Sequence, residues 1–226
     1  MCFSAAASFT AIALLIPAGL YACKLANDTD LRYLPLALIP CIFGIQQGFE
    51  GVEWLALNHH QPDIAHLAAL GFLAFSHGFW LLWLPLAVFA LEQRLWARKI
   101  LLTVTLLGAL FGLSLYGPFL LSPDMFAVTT NHGSIDYQTR LIYDQLFPRA
   151  VSRLIYMVIV LGPLWLSELP QLKIAGGFMA LALVATYWFY NYAFVSVWCF
   201  FAAILSGYLI YCLHSISTQS LVPTSR

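Results

Sequence analysis

The sequence predicts an all-α integral membrane bundle of seven transmembrane helices, with a small outer hairpin in the loop between helices four and five. Three observations predict it. Of 226 residues, 62% are hydrophobic and 9% charged, whereas soluble domains run at roughly 45–50% apolar and about 25% charged. Apolar runs long enough to span a bilayer, about 20 residues each, succeed one another along the chain. One longer polar stretch interrupts them near 122–149. Ten Lys and Arg balance ten Asp and Glu, so no basic field invites nucleic acid, and the lipid bilayer is the expected partner.

The apolar runs fall at about 5–24, 33–57, 64–91, 100–121, 150–168, 172–190 and 194–214, within a single domain over 1–226. The first lacks the basic n-region and small-residue cleavage site of a secretory signal and is expected to be retained. Pro35 opens the second run and Pro40 lies inside it, while Pro85 and Pro118 sit in the third and fourth. Kinks are expected there, because proline frees a helical carbonyl that neighbouring helices must satisfy. Asn191 and its flanking tyrosines break the apolar run between helices six and seven.

Basic residues set the expected orientation. Lys24, Arg32, Arg94, Arg98, Lys99, Lys173 and Arg226 fall on one side, and Arg140, Arg149 and Arg153 on the other. The amino terminus is therefore expected outside the cell inner (cytoplasmic) membrane and the carboxyl terminus in the cytoplasm. The long loop then lies outside, bounded by Pro123 and Pro148. Within it, the β-prone runs 126–130 and 135–139 flank the turn-rich Asn131-His132-Gly133-Ser134, the pattern of a hairpin capping the outer mouth.

Polar side chains inside spans are expensive and mark candidate sites. Gln46, Glu50 and Glu53 are spaced i, i+4, i+7 and share one helix face, in the outer half of the bilayer in this orientation. The bland alternative places Glu53 at headgroup level and makes Glu50 a hydrogen-bonded packing residue. His77 lies mid-helix among Phe75, Phe79, Trp80 and Trp83, as metal ligand, proton carrier or interhelical hydrogen-bond partner. Cys199 lies about one turn into the membrane, and Cys2 at the outer surface. The five cysteines show no CxxC spacing, so no disulfide framework is expected.

Cys2, Glu50, Glu53, His77, His132 and Cys199 thus combine thiol, carboxylate and imidazole in the outer half, a ligand set suited to zinc or copper. The expected function is a polar pocket open to the outside that binds a transition metal, for metal-assisted chemistry or sensing, and the expected partner besides lipid is a metal or small-molecule ligand from the outer side. In the enzymatic version the metal activates water and Glu50 or Glu53 serves as general base. Against it stands a non-catalytic receptor-like or accessory subunit, and a conductor of protons or small solutes along the carboxylates and His77.

The opening Met1-Cys2-Phe3-Ser4-Ala5, the stretch Gln46-Gln47-x-x-Glu50-x-x-Glu53-Trp54, the segment His132-x-x-Ile135-x-Tyr137 and the region Asn191…Trp198-Cys199…Ser206 carry a resemblance. Together they resemble an uncharacterised bacterial family of small polytopic membrane proteins whose members begin Met-Cys-Phe-Ser-Ala. The resemblance spans most of the chain. It implies a membrane location and draws attention to Cys2, Glu50, Glu53, His132, Asn191, Trp198 and Cys199, and it implies no particular reaction.

Overall fold

Ser4 accepts the Ala7 amide at 3.2 Å and so caps the first helix, α1 (Ala5–Thr29). The computed structural model describes residues 4–131, 133–189 and 194–220. After α1, Asp30 pairs with Arg32 at 2.6 Å and starts a 3-10 turn, Leu31–Tyr33. The second apolar run is then divided into a short α2 (Leu34–Ala37) and α3 (Ile39–Asn58). Pro40 explains the division, since it has no N–H for the Leu36 carbonyl. The Trp83 indole donates to the Pro35 carbonyl at 3.0 Å and holds the break against the third run.

That third run is α4 (Pro62–Leu73), a π-helical turn over Ala74–Phe79 and α5 (Trp80–Leu91). The turn is marked by the Trp80 N–H reaching the Phe75 carbonyl. The remaining helices are α6 (Leu95–Leu121), α7 (Arg149–Leu166), α8 (Pro170–Phe189) and α9 (Phe194–Ser220). On α6 the buried residues Ala97, Leu101, Thr105, Gly108, Gly112, Leu115 and Phe119 recur every three or four positions, one continuous stripe. Leu106, Leu110 and Leu113 on the opposite side are exposed, as lipid requires.

Among the described residues, α1, the α4–α5 unit, α6, α7, α8 and α9 are each long and apolar enough to cross a membrane. The chain is thus a multi-pass helical membrane protein. α3 is not among those six, and Gln46, Gln47, Glu50 and Glu53 are what dilute its hydropathy. It is nevertheless interior, packed antiparallel along α1 with Gly19 against Cys41 and Gly51 against Phe9.

The loop after α6 forms the expected hairpin, β1 (Phe126–Asn131) and β2 (Ser134–Thr139), paired from Phe126↔Thr139 to Asn131↔Ser134. Gly133, at φ +74°, supplies the left-handed backbone a two-residue turn needs. Two rings seat the hairpin on the bundle. Phe126 stacks on His66 at 4.4 Å, and Tyr137 stacks on Phe72 at 4.8 Å with the planes 1° apart. His66, on α4, is half-buried.

At the other end of the bundle a charge clamp joins the α5–α6 link to the end of α7. Arg94 donates to Glu92 Oε2 at 2.8 Å and to the Leu166 carbonyl at 2.6 Å, and it pairs with Glu168 at 3.1 Å. Hydrogen bonds from the Arg94 guanidinium, helped by the Arg94 and Gln93 amides, hold the Glu92 carboxyl down at about 2. Because this lies below the ordinary value of 4.5, the Glu92 contribution is complete above pH 4.5 and is lost as pH falls toward 2. The thermal midpoint of the wild type should therefore exceed that of Glu92→Gln at neutral pH, with the gap closing through that acid window. A gap that stays constant through it would count against the clamp.

Candidate functional site

Beneath the hairpin lies a cavity of about 430 Å³, walled by the hairpin, the π-helical turn, α6, α7, α8 and α9. Its polar side is built by the hairpin segment, through Asp124, Asp136, Tyr137, Gln138, Thr139 and Arg140, and by α7. Arg149, Ser152, Arg153 and Tyr156 are spaced i, i+3, i+4, i+7, so a single helix face presents all four to the cavity. Below them the same helix turns apolar, with Ile159, Val160 and Leu164 buried.

Each charged group on this wall is held. Arg149 is ion-paired with Asp144 and donates to the Thr139 carbonyl at 2.6 Å, which ties the base of the hairpin to α7. The Arg153 guanidinium lies over the Phe194 ring at 4.5 Å, fixing its plane by a cation–π contact. Between the two arginines in sequence, the Ser152 Oγ is buried with no hydrogen-bond partner. Asp124 and Asp136, both from the hairpin segment, are the acidic residues on the cavity wall.

The π-helical turn supplies Ser76 and His77. Ser76 Oγ lies 3.0 Å from His77 Nδ1, and the Phe119 ring meets the imidazole edge-on at 5.5 Å. Such a turn widens the helix by one residue and re-aims the side chains on it, a frequent feature of functional positions. α6 can lie against the turn because Gly112 leaves room for the Gly78 carbonyl; a Cβ at 112 would sit 2.9 Å from it. From α9, Trp198 and Cys199 complete the inner wall.

Of the residues expected to share one pocket, His77 and Cys199 do line it. Glu50 and Glu53 do not. Both are fully buried on α3, and the Tyr137 hydroxyl donates to Glu53 Oε2 at 2.7 Å. Glu53 Oε1 has no hydrogen-bond partner, nor has either polar atom of the Gln47 carboxamide. Gln46 accepts from the Trp80 indole at 2.7 Å. Cys2, His132 and Asn191 lie outside the described residues. Among the described residues no three His, Cys, Asp or Glu side chains come together as a metal ion would need.

The four α7 residues escaped the sequence reading, which took Arg149 and Arg153 only as markers of orientation. Their signal was the polar i, i+3, i+4, i+7 stripe at the start of an otherwise apolar helix. Tyr137 was noticed only as part of a motif, since a tyrosine in a β-prone run does not announce a carboxylate partner 84 residues earlier.

Fold and site together define a polytopic helical membrane protein with a hairpin-capped, arginine-bearing cavity. Residues 1–222 match the family described as "Family of unknown function (DUF6629)", and the chain belongs to that family. No curated protein and no solved structure matches it.

Proposed function

We propose that this is a seven-span protein of the cell inner membrane, amino terminus outside, whose hairpin-capped cavity binds a small molecule entering from the outer side. The observation that carries the reading is the polar face of α7 turned into a half-open cavity of about 430 Å³, within the size range of ligand pockets. α3 serves as the remaining span: its 20 residues correspond to about 30 Å of helix, the thickness of the hydrocarbon core. The orientation is supported by the small number of basic residues at the hairpin end, Arg140, Arg149 and Arg153, against seven elsewhere.

A transition metal, zinc or copper, is the second reading, favoured by His77 and Cys199 standing on the same cavity wall. In that version the metal serves sensing or water activation, with Glu53 coupled to the cavity through Tyr137.

Alkylation of Cys199 tests both readings. In a variant whose other cysteines are alanine, N-ethylmaleimide should modify Cys199 slowly. A Leu183→Trp substitution, at a half-buried position on the cavity wall, should narrow the cavity and slow the reaction, with a wild-type thermal midpoint showing that the variant is folded. Equal alkylation in both variants would overturn the ligand-cavity reading. Protection by added zinc or copper, with metal retained by the wild type and lost in His77→Ala, would select the metal reading over the organic ligand.

A further inference from the structure

We infer that ordered water is bound inside the bundle where α1 packs on α3, held by Ser8, Gln47 and Trp54. The site is separate from the cavity, whose lining includes none of these three residues, so it stands or falls independently of the ligand reading.

Helix geometry brings the three residues to one level. Gln47, Gly51 and Trp54 are spaced i, i+4, i+7 and so share one face of α3 over about 10 Å of its length. Gly51 is a point of contact with α1, since a Cβ there would sit 3.0 Å from the Phe9 ring. Ser8, next to Phe9 in the chain, therefore lies level with Gln47 and Trp54. It is fully buried where Phe9 is 38% exposed, which puts it on the inner side of the contact.

Four polar atoms of these residues have no hydrogen-bond partner: Ser8 Oγ, both ends of the Gln47 carboxamide and Trp54 Nε1. Buried polar groups are nearly always bonded, and orphans gathered on two packed helices mark a place that a small ligand serves. Their chemistry selects the ligand. The Gln47 and Trp54 N–H groups only donate, the Gln47 oxygen only accepts, and the Ser8 hydroxyl does both. A metal cation would leave the N–H groups unbonded, and an anion would leave the carboxamide oxygen so. Water donates and accepts, and buried water characteristically makes about three such bonds. Hydration at this level also accounts for how α3, too polar to count among the six apolar spans, is seated inside the bundle.

Hydroxyl-radical footprinting of the full chain in phosphatidylcholine nanodiscs tests this, because radicals formed from bound water oxidise the side chains beside it. Trp54 and Phe43 are both 6% exposed and lie on the same helix, yet Trp54 should be oxidised several-fold faster once intrinsic reactivity is allowed for. Ser8→Ala should slow Trp54 oxidation several-fold while leaving Trp198, on the cavity wall, as reactive as in the wild type. Gln47→Leu should slow it too and lower the thermal midpoint, since the water loses a partner; for an unbonded carboxamide, leucine would instead be stabilising. Trp54 as inert as Phe43, or a raised midpoint for Gln47→Leu, overturns the water site. Oxidation of Trp54 that is lost when choline replaces sodium overturns it in favour of a bound cation. If Gln47→Leu does not fold, Ser8→Ala carries the test.

Discussion

Replacing Gly108 by alanine is expected to leave little or no monodisperse protein. A Cβ at this position would lie 2.1 Å from the Leu81 carbonyl oxygen and 3.0 Å from Ile159 Cγ2. Overpacking a core costs about 1–3 kcal/mol when side chains can give way. Here the obstacle is the backbone of α5, so α6 must move as a body, and the neighbouring contact of Gly112 with the Gly78 carbonyl moves with it. The π-helical turn carrying Ser76 and His77 would lose its backing. Gly117 on the same helix is the control, since a Cβ there meets nothing within 4 Å. Gly117→Ala should be neutral or stabilising by up to about 1 kcal/mol, the helix-propensity difference. Size-exclusion profiles and thermal midpoints of the two variants decide the matter: a folded Gly108→Ala with a wild-type midpoint would refute the close packing of α5 and α6.

The second large effect belongs to the bond between hairpin and bundle. Tyr137→Phe removes the hydroxyl that serves Glu53 Oε2 and leaves a fully buried carboxyl group with neither oxygen hydrogen-bonded. Stranding a buried polar group costs about 1–3 kcal/mol, while removing both partners together is far milder. The expected result is a lowered midpoint for Tyr137→Phe and a partial return in the double variant Tyr137→Phe, Glu53→Leu, a coupling the double-mutant cycle measures directly. Because Tyr137 also lines the cavity, the same variant should speed alkylation of Cys199. Unchanged stability together with an unchanged alkylation rate would show that the hairpin is held by its ring stacks alone.

Much of the architecture was legible in the residues. Apolar runs located the helices with ends off by up to six positions, and the β-prone runs around Asn131–Ser134 located the hairpin, because both depend on local periodicity and turn chemistry. The π-helical turn at Ala74–Phe79 was not legible. It follows from how α6 packs through Gly112 and leaves no mark on an apolar pattern. α3 showed the opposite difficulty. Its polar face was plain, but the pairing of Glu53 with a hairpin tyrosine, and of Gln46 with Trp80, depends on contacts between distant segments.

By itself the sequence determined a membrane-embedded helical chain, the side of the bundle that carries few basic residues, and the short set of polar groups too costly to be in the bilayer by accident. Composition and periodicity decide these because each is a sum over neighbouring residues. The tertiary structure alone decided which polar groups share a space: it brought the α7 arginines to the cavity that His77 and Cys199 also line, and buried Glu50 and Glu53 outside its lining, Glu53 against the Tyr137 hydroxyl. The physical reason is that burial and hydrogen bonding are settled by pairing between segments, and the same carboxylate can line a cavity or lie outside it according to which side chain comes to meet it.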